Sequence, residues 1–124
     1  MSEQPCLYYD AHAHLVADDQ ARYPRNPPPK SETPTTIPPG VAGTPGGHSG
    51  PNPLKVSPDA SRMLQWMREE RVCGMAAVQK SMIYQFDNSY IIDSGAEHAN
   101  MDAVIAIDPT NPETPNLIRQ AAAR

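Results

Sequence analysis

Apolar positions along this chain fall into short, near-continuous runs separated by amphipathic stretches. Leu7 to Ala11 is the first run, with Tyr8 and Tyr9 suited to a pleated surface. Met75 to Gln79 is the second, and Ala103 to Ile107, closed by Asp108-Pro109, is the third. Runs this short without alternation predict strands covered on both faces. Ala60, Met63, Leu64 and Met67 recur instead at i, i+3, i+4 and i+7, the stripe of an amphipathic helix. Ser57 can cap that helix, Pro58 fits its first position, and Asp59 meets the positive end of its dipole. Arg68 to Arg71 read as its solvated end and Gly74 as its stop. Lys80 to Phe86 read as a turn. Asp87 or Asn88 can cap a second helix running to about Ala99, with Ile91 and Ile92 as its apolar side. Gly95 weakens it, and His98 reads as a surface histidine. Glu113-Thr114-Pro115 leads into a third helix over Leu117 to Arg124.

The order strand, long loop, helix, strand, helix, strand, helix predicts an α/β fold with parallel strands and helical crossovers. An open doubly wound sheet and part of a barrel both satisfy it. Residues 15–56 form the long connection. The chain has 15 prolines, eleven of them between Pro24 and Pro58, and five of its 7 glycines lie between Gly40 and Gly50. That block, about 24–56, cannot form a helix or a central strand, because proline removes backbone donors and glycine costs entropy. It reads as a loop that is either a functional lid or disordered. His48 within it reads as a solvated loop histidine, and no compelling P-x-x-P recognition motif stands out.

With 124 residues the chain suits one modest domain. Its net charge of −4 provides no electrostatic footprint for nucleic acid. No segment approaches the roughly 20 apolar residues of a membrane span, and Met-Ser-Glu-Gln-Pro lacks the regions of a signal peptide. These features predict a cytoplasmic protein without a membrane or nucleic-acid partner. In that compartment Cys6 and Cys73 are expected as two free, buried thiols.

The candidate chemistry sits at the end of the first apolar run, in Asp10-Ala11-His12-Ala13-His14. In an extended chain side chains alternate with period two, so His12 and His14 point one way and Asp10 points with them. Two imidazoles so placed can hold one divalent cation, with both nitrogens about 2.0–2.1 Å from it. Asp10 can orient a ring or join the metal shell. A His-x-His pair also occurs as two packed or solvated histidines, and the motif alone does not separate the readings. Its place at a strand's end favours a site, because parallel α/β proteins bind ligands there.

The ordered set resembles a family. Tyr9-Asp10-Ala11-His12-Ala13-His14-Leu15 is similar to strand one of the amidohydrolase superfamily. Arg22-Tyr23-Pro24 follows, then Val78-Gln79, Tyr84 and Asp87-Asn88, then Ala106-Ile107-Asp108-Pro109. The subgroup it resembles is the amidohydrolase-related (amidohydrolase 2) family, which includes 2-pyrone-4,6-dicarboxylate lactonase-like and sugar-lactonase-like hydrolases. The resemblance spans nearly the whole chain except an insertion around residues 37–53. It implies a TIM (β/α)8 barrel of about 250 residues, of which residues 1–124 would be the first three βα units, truncated. The later histidines and the water-activating aspartate of that family have no counterpart here.

What the resemblance implies is hydrolysis of a lactone of a small carboxylic or sugar acid, the isolated chain being a doubtful catalyst. His12 and His14 would hold a divalent metal such as zinc, or would act without metal as donors to the substrate carbonyl. Ser81, Tyr23 and Tyr84 are the expected substrate contacts. Asp10 is expected to orient the histidines, and the general base to come from the missing part. A metal-dependent decarboxylase of the same superfamily begins with the same motif and stays open. So does a non-catalytic fragment or interaction module working through the Pro-rich loop. The oligomeric state is left open.

Overall fold

The computed structural model describes residues 5–25 and 57–124. Residues 26–56 of the Pro/Gly-rich block, with His48, lie outside the described residues. Seven elements follow in order: β1 (Tyr8–His14), α1 (Ala60–Glu69), β2 (Val72–Val78), α2 (Ser81–Tyr84), α3 (Ser89–Glu97), β3 (Met101–Val104) and α4 (Thr114–Ala122). The strands form one sheet in the order β1-β2-β3, and both pairings are parallel. The α/β class and the three parallel strands are therefore as the apolar runs predict.

The stripe of α1 behaves as expected. Ala60 and Met67 are buried, and Met63 and Leu64 pack against the same cluster. That cluster joins α1 and α3 to the sheet through Leu15, Met75, Ala77, Ile91 and Met101, with Met75 and Ala77 wholly buried. Gly95 has a reason to be in α3. A Cβ there would stand 3.0 Å from the Ala103 Cβ, so its absence lets the helix lie close on β3.

Several boundaries differ from the expected ones. The cap of α1 is Asp59 and not Ser57: its Oδ1 accepts from the Arg62 N–H at 2.9 Å. A carboxylate at that position also meets the helix dipole favourably. Asp59→Ala is expected to lower stability by about 1 kcal/mol, read as a shift in the urea midpoint. Gly74 does not stop the helix. Arg71 makes the turn, at φ 62, and Gly74 lies inside β2. There its bare backbone has a different use. The Tyr9 ring crosses β2 at Gly74, where a Cβ would come within 3.2 Å of it. The Tyr9 hydroxyl then donates to Asp102 Oδ2 on β3 at 2.6 Å, so one side chain ties all three strands. That carboxylate holds the Tyr9 proton on, raising its pKa.

Two expectations fail. Cys6 and Cys73 are not free buried thiols; they form a disulfide, and both residues are exposed. The reason is an irregularity at the start of the β1–β2 pairing. Cys73 is the extra residue where the register shifts from Tyr8–Val72 to Tyr9–Gly74, and its Cα stands 5.1 Å from that of Cys6 just before β1, well inside disulfide range. Nor are the strands covered on both faces by the described residues. Leu7, Tyr8 and Tyr9 are 54%, 61% and 54% exposed, and Val104 is 44% exposed. The described helices pack α1 and α3 on one face and leave the Tyr9–Asp102 face open. Among the described residues no helix is long and apolar enough to cross a membrane.

Candidate functional site

β1 runs on through the histidines and ends at His14, which pairs with Val78, the last residue of β2. The pair therefore stands at the carboxyl end of the sheet. His12 Nε2 and His14 Nε2 face each other at 3.3 Å, with the rings edge to face. Two nitrogens bound to one tetrahedral zinc, each about 2.0–2.1 Å from it, stand roughly 3.3–3.4 Å apart. The separation matches that spacing, and the same contact is a ring-to-ring hydrogen bond as it stands. His14 Nδ1 lies 2.9 Å from the Val78 carbonyl oxygen. A carbonyl only accepts, so Nδ1 carries the proton, and in the neutral ring Nε2 keeps its lone pair, which accepts from His12 Nε2. This is the backbone partner that a ligating histidine usually has.

Asp10 departs from its expected place. Between Asp10 and Ala13 β1 advances three residues while β2 advances only from Met75 to Ala77. The extra residue is a β-bulge, and it reverses the side-chain parity beyond it. Asp10 pairs with Met75 and His14 with Val78, positions on opposite faces of β2. Asp10 Oδ1 accepts from the His12 backbone N–H at 3.0 Å. It holds the bulge that aims His12 rather than orienting an imidazole.

Among the described residues no group of three or more His, Cys, Asp or Glu side chains converges as a metal centre. The rings are also not enclosed. His12 is exposed and His14 half-buried. Four clefts open between described residues, of about 480, 410, 180 and 550 Å³, and neither ring lines any of these four.

The three expected substrate contacts separate. Ser81 opens α2 and is exposed. Tyr23 and Tyr84 are buried in a second cluster with Val16, Ala17 and Ile83. The Tyr84 hydroxyl accepts from the Ala17 N–H at 2.9 Å, and burial raises its pKa. The Tyr23 hydroxyl donates to Asp93 Oδ2 at 2.6 Å, and Arg124 meets the other oxygen at 2.7 Å. These hydrogen bonds, that from Tyr23 foremost, hold Asp93 below the usual carboxylate range. Burial first and Asp93 second push Tyr23 up to about 12. The unfolded chain releases that proton near 10.0, so its contribution is complete below pH 10 and is lost as pH rises towards about 12. Denaturant midpoints are expected to fall across that window, and Tyr23→Phe is expected to flatten part of the fall.

Three residues near the strand ends take roles that the sequence does not predict. Asn88 stands at the N-cap of α3, one of the two positions expected, but its side chain makes no capping bond, and Asp87 Oδ1 accepts from the Ser89 N–H at 3.0 Å instead. The Asn88 side chain donates to the Ala106 carbonyl and accepts from the Ala106 N–H, both at 2.8 Å, so it docks the chain beyond β3 as a strand would. Gln79 is buried, and its Nε2 donates to the Gln85 and Asp87 carbonyls, shaping the loop after α2. Lys80 Nζ donates to Ser57 Oγ at 2.7 Å. Gln79 and Lys80 are the first polar residues after an apolar run, and Asn88 offers only its capping propensity.

Comparison with protein-family models, with curated proteins and with solved structures finds no match.

Proposed function

We propose that this chain carries the metal-binding start of an amidohydrolase-related hydrolase that opens a lactone of a small carboxylic or sugar acid. The observation that carries the reading is the 3.3 Å convergence of the His12 and His14 Nε2 atoms at a strand's carboxyl end. A divalent cation such as zinc, when bound there, supplies Lewis acidity towards an ester carbonyl. The chain's own work is to hold the two rings ready: Val78 fixes the His14 tautomer, and Asp10 fixes the bulge beneath His12. Without metal, His12 Nε2 would act as the N–H donor to the carbonyl oxygen, while His14, its proton held on Nδ1 by Val78, presents an acceptor at Nε2. Ser81, exposed just beyond β2, is available to a substrate at that end of the sheet.

Two ligands are fewer than the three protein ligands of catalytic zinc sites. We therefore propose that further βα units complete a TIM barrel around the pair. The open sheet face with Tyr9 and Val104 supports this, as does the outer edge of β3, which pairs with no described strand. The proposed home is the cytoplasm, where the Cys6–Cys73 bond would have to withstand reduction.

The test is a panel of lactones offered to the polypeptide isolated from its native source, with ring opening followed by acid release. Turnover lost in His12→Ala and His14→Ala, and lost on chelation, is the expected result. Survival under chelation would favour the metal-free mode. Release of carbon dioxide from a carboxylated aromatic, with no lactone opened, would replace the hydrolase with the decarboxylase. A zinc-loaded protein inert to both classes would overturn the reading.

A further inference from the structure

Beyond the histidine pair, the carboxyl end of the sheet holds a second combination of reactive side chains. Lys80 follows β2 two residues after Val78, whose carbonyl holds His14. Ser57 lies just before α1, and the neighbouring Pro58 carbonyl accepts from the Val16 N–H at 2.9 Å, beyond the end of β1. The connections leaving β1 and β2 thus meet here. Their meeting brings Lys80 Nζ to 2.7 Å from Ser57 Oγ, within reach for proton transfer. Both residues are half-buried, so the pair is partly withdrawn from water yet open to a small molecule.

A lysine that serves as a base must be able to lose its proton. Among the described residues no carboxylate lies within 4.0 Å of Lys80, the two ion pairs both being made to Asp93. Burial, with no opposing charge, lowers its pKa. In the ammonium form Nζ donates to Oγ. In the amine form the same contact runs the other way, with the Ser57 hydroxyl donating to the Nζ lone pair. Serine paired with lysine is one of the arrangements that activates a hydroxyl without histidine.

We propose that Ser57 and Lys80 are a nucleophile and base that accept an acyl group from a small ester, as a centre separate from the histidine pair. Ser57 Oγ bonds to the ester carbonyl carbon while its proton passes to the Lys80 amine. The carbon–alkoxy bond then breaks, and the alkoxide leaves with that proton from Lys80, giving an ester on Ser57 and a free alcohol. Water then attacks this acyl-Ser57, again giving its proton to Lys80. Ser57 departs as an alkoxide, recovers the proton, and the acid is released. No redox partner or metal enters any step.

A serine-reactive fluorophosphonate is the probe, applied to the full chain, with intact mass and peptide mapping as readouts. The expected result is one adduct per chain, on Ser57, absent in Ser57→Ala. Lys80→Arg keeps the cation but cannot accept the proton, and is expected to slow labelling about 100-fold or more. Lys80→Gln serves the same purpose should the arginine variant fold poorly, circular dichroism being the check. Labelling is expected to persist in the His12→Ala/His14→Ala double variant and under chelation, so its success or failure is independent of the hydrolase reading. Absence of any Ser57 adduct at millimolar probe, or unchanged labelling in a folded Lys80 variant, would overturn the proposal.

Discussion

Cys73→Ser is expected to lower the free energy of unfolding by about 4 kcal/mol relative to the oxidised wild type, the chain-entropy value for a loop of this size. Cys6 and Cys73 are 67 residues apart, so the bond closes a long loop in the unfolded chain and removes much of its freedom. It also joins the start of β1 to the start of β2, where the Leu7 and Tyr8 N–H groups both donate to the Arg71 carbonyl. Domains of this size are stable by only about 5–15 kcal/mol, so the bond would carry a large share of the total. Urea titrations of the two proteins, and of wild type with a thiol reductant, measure the difference. A loss below about 1 kcal/mol in both comparisons would show that the chain-entropy account does not apply to this loop.

Replacing either histidine is expected to weaken zinc binding by more than the roughly 10–100-fold that loss of an outer partner alone costs. The reason is geometric. Each ring supplies one of two converging nitrogens, and one imidazole left behind is a single ligand on an open surface. Asp10→Ala should have a smaller effect, because its carboxylate holds the His12 backbone and not a ring. It releases the bulge without removing a ligand. Calorimetric titration of the four proteins with zinc gives the order directly: wild type tightest, Asp10→Ala intermediate, both histidine variants weakest. Equal affinity across all four would place the cation elsewhere.

The sequence makes these features legible to unequal degrees, for physical reasons. The α1 stripe at Ala60, Met63, Leu64 and Met67 depends on helical period alone, and it packs as read. The parallel order follows from apolar runs alternating with that stripe. The disulfide is different in kind. It depends on where the chain before β1 meets the irregular start of β2, a long-range property that no local pattern encodes. The bulge at Asp10 is hidden for a related reason. Period two is a property of regular strands, and one inserted residue inverts it, so His12 and His14 meet as expected while Asp10 does not join them. The cap of α1 moves from Ser57 to Asp59 because both residues can cap, and tertiary contacts decide. Ser57 meets Lys80 instead. Tyr23 and Tyr84 illustrate a general ambiguity, since an aromatic with a polar tip suits a site wall and a core equally; here their hydroxyls close buried hydrogen bonds.

The most direct test of the shared histidine site is nitrogen-detected NMR of the imidazole rings in wild-type protein during a zinc titration. The Nε2 resonances of His12 and His14 should move together and saturate at one zinc per chain, while His14 Nδ1 keeps its proton on the Val78 carbonyl. Movement of one ring only, or loss of the His14 Nδ1 proton on binding, would contradict a cation held between them.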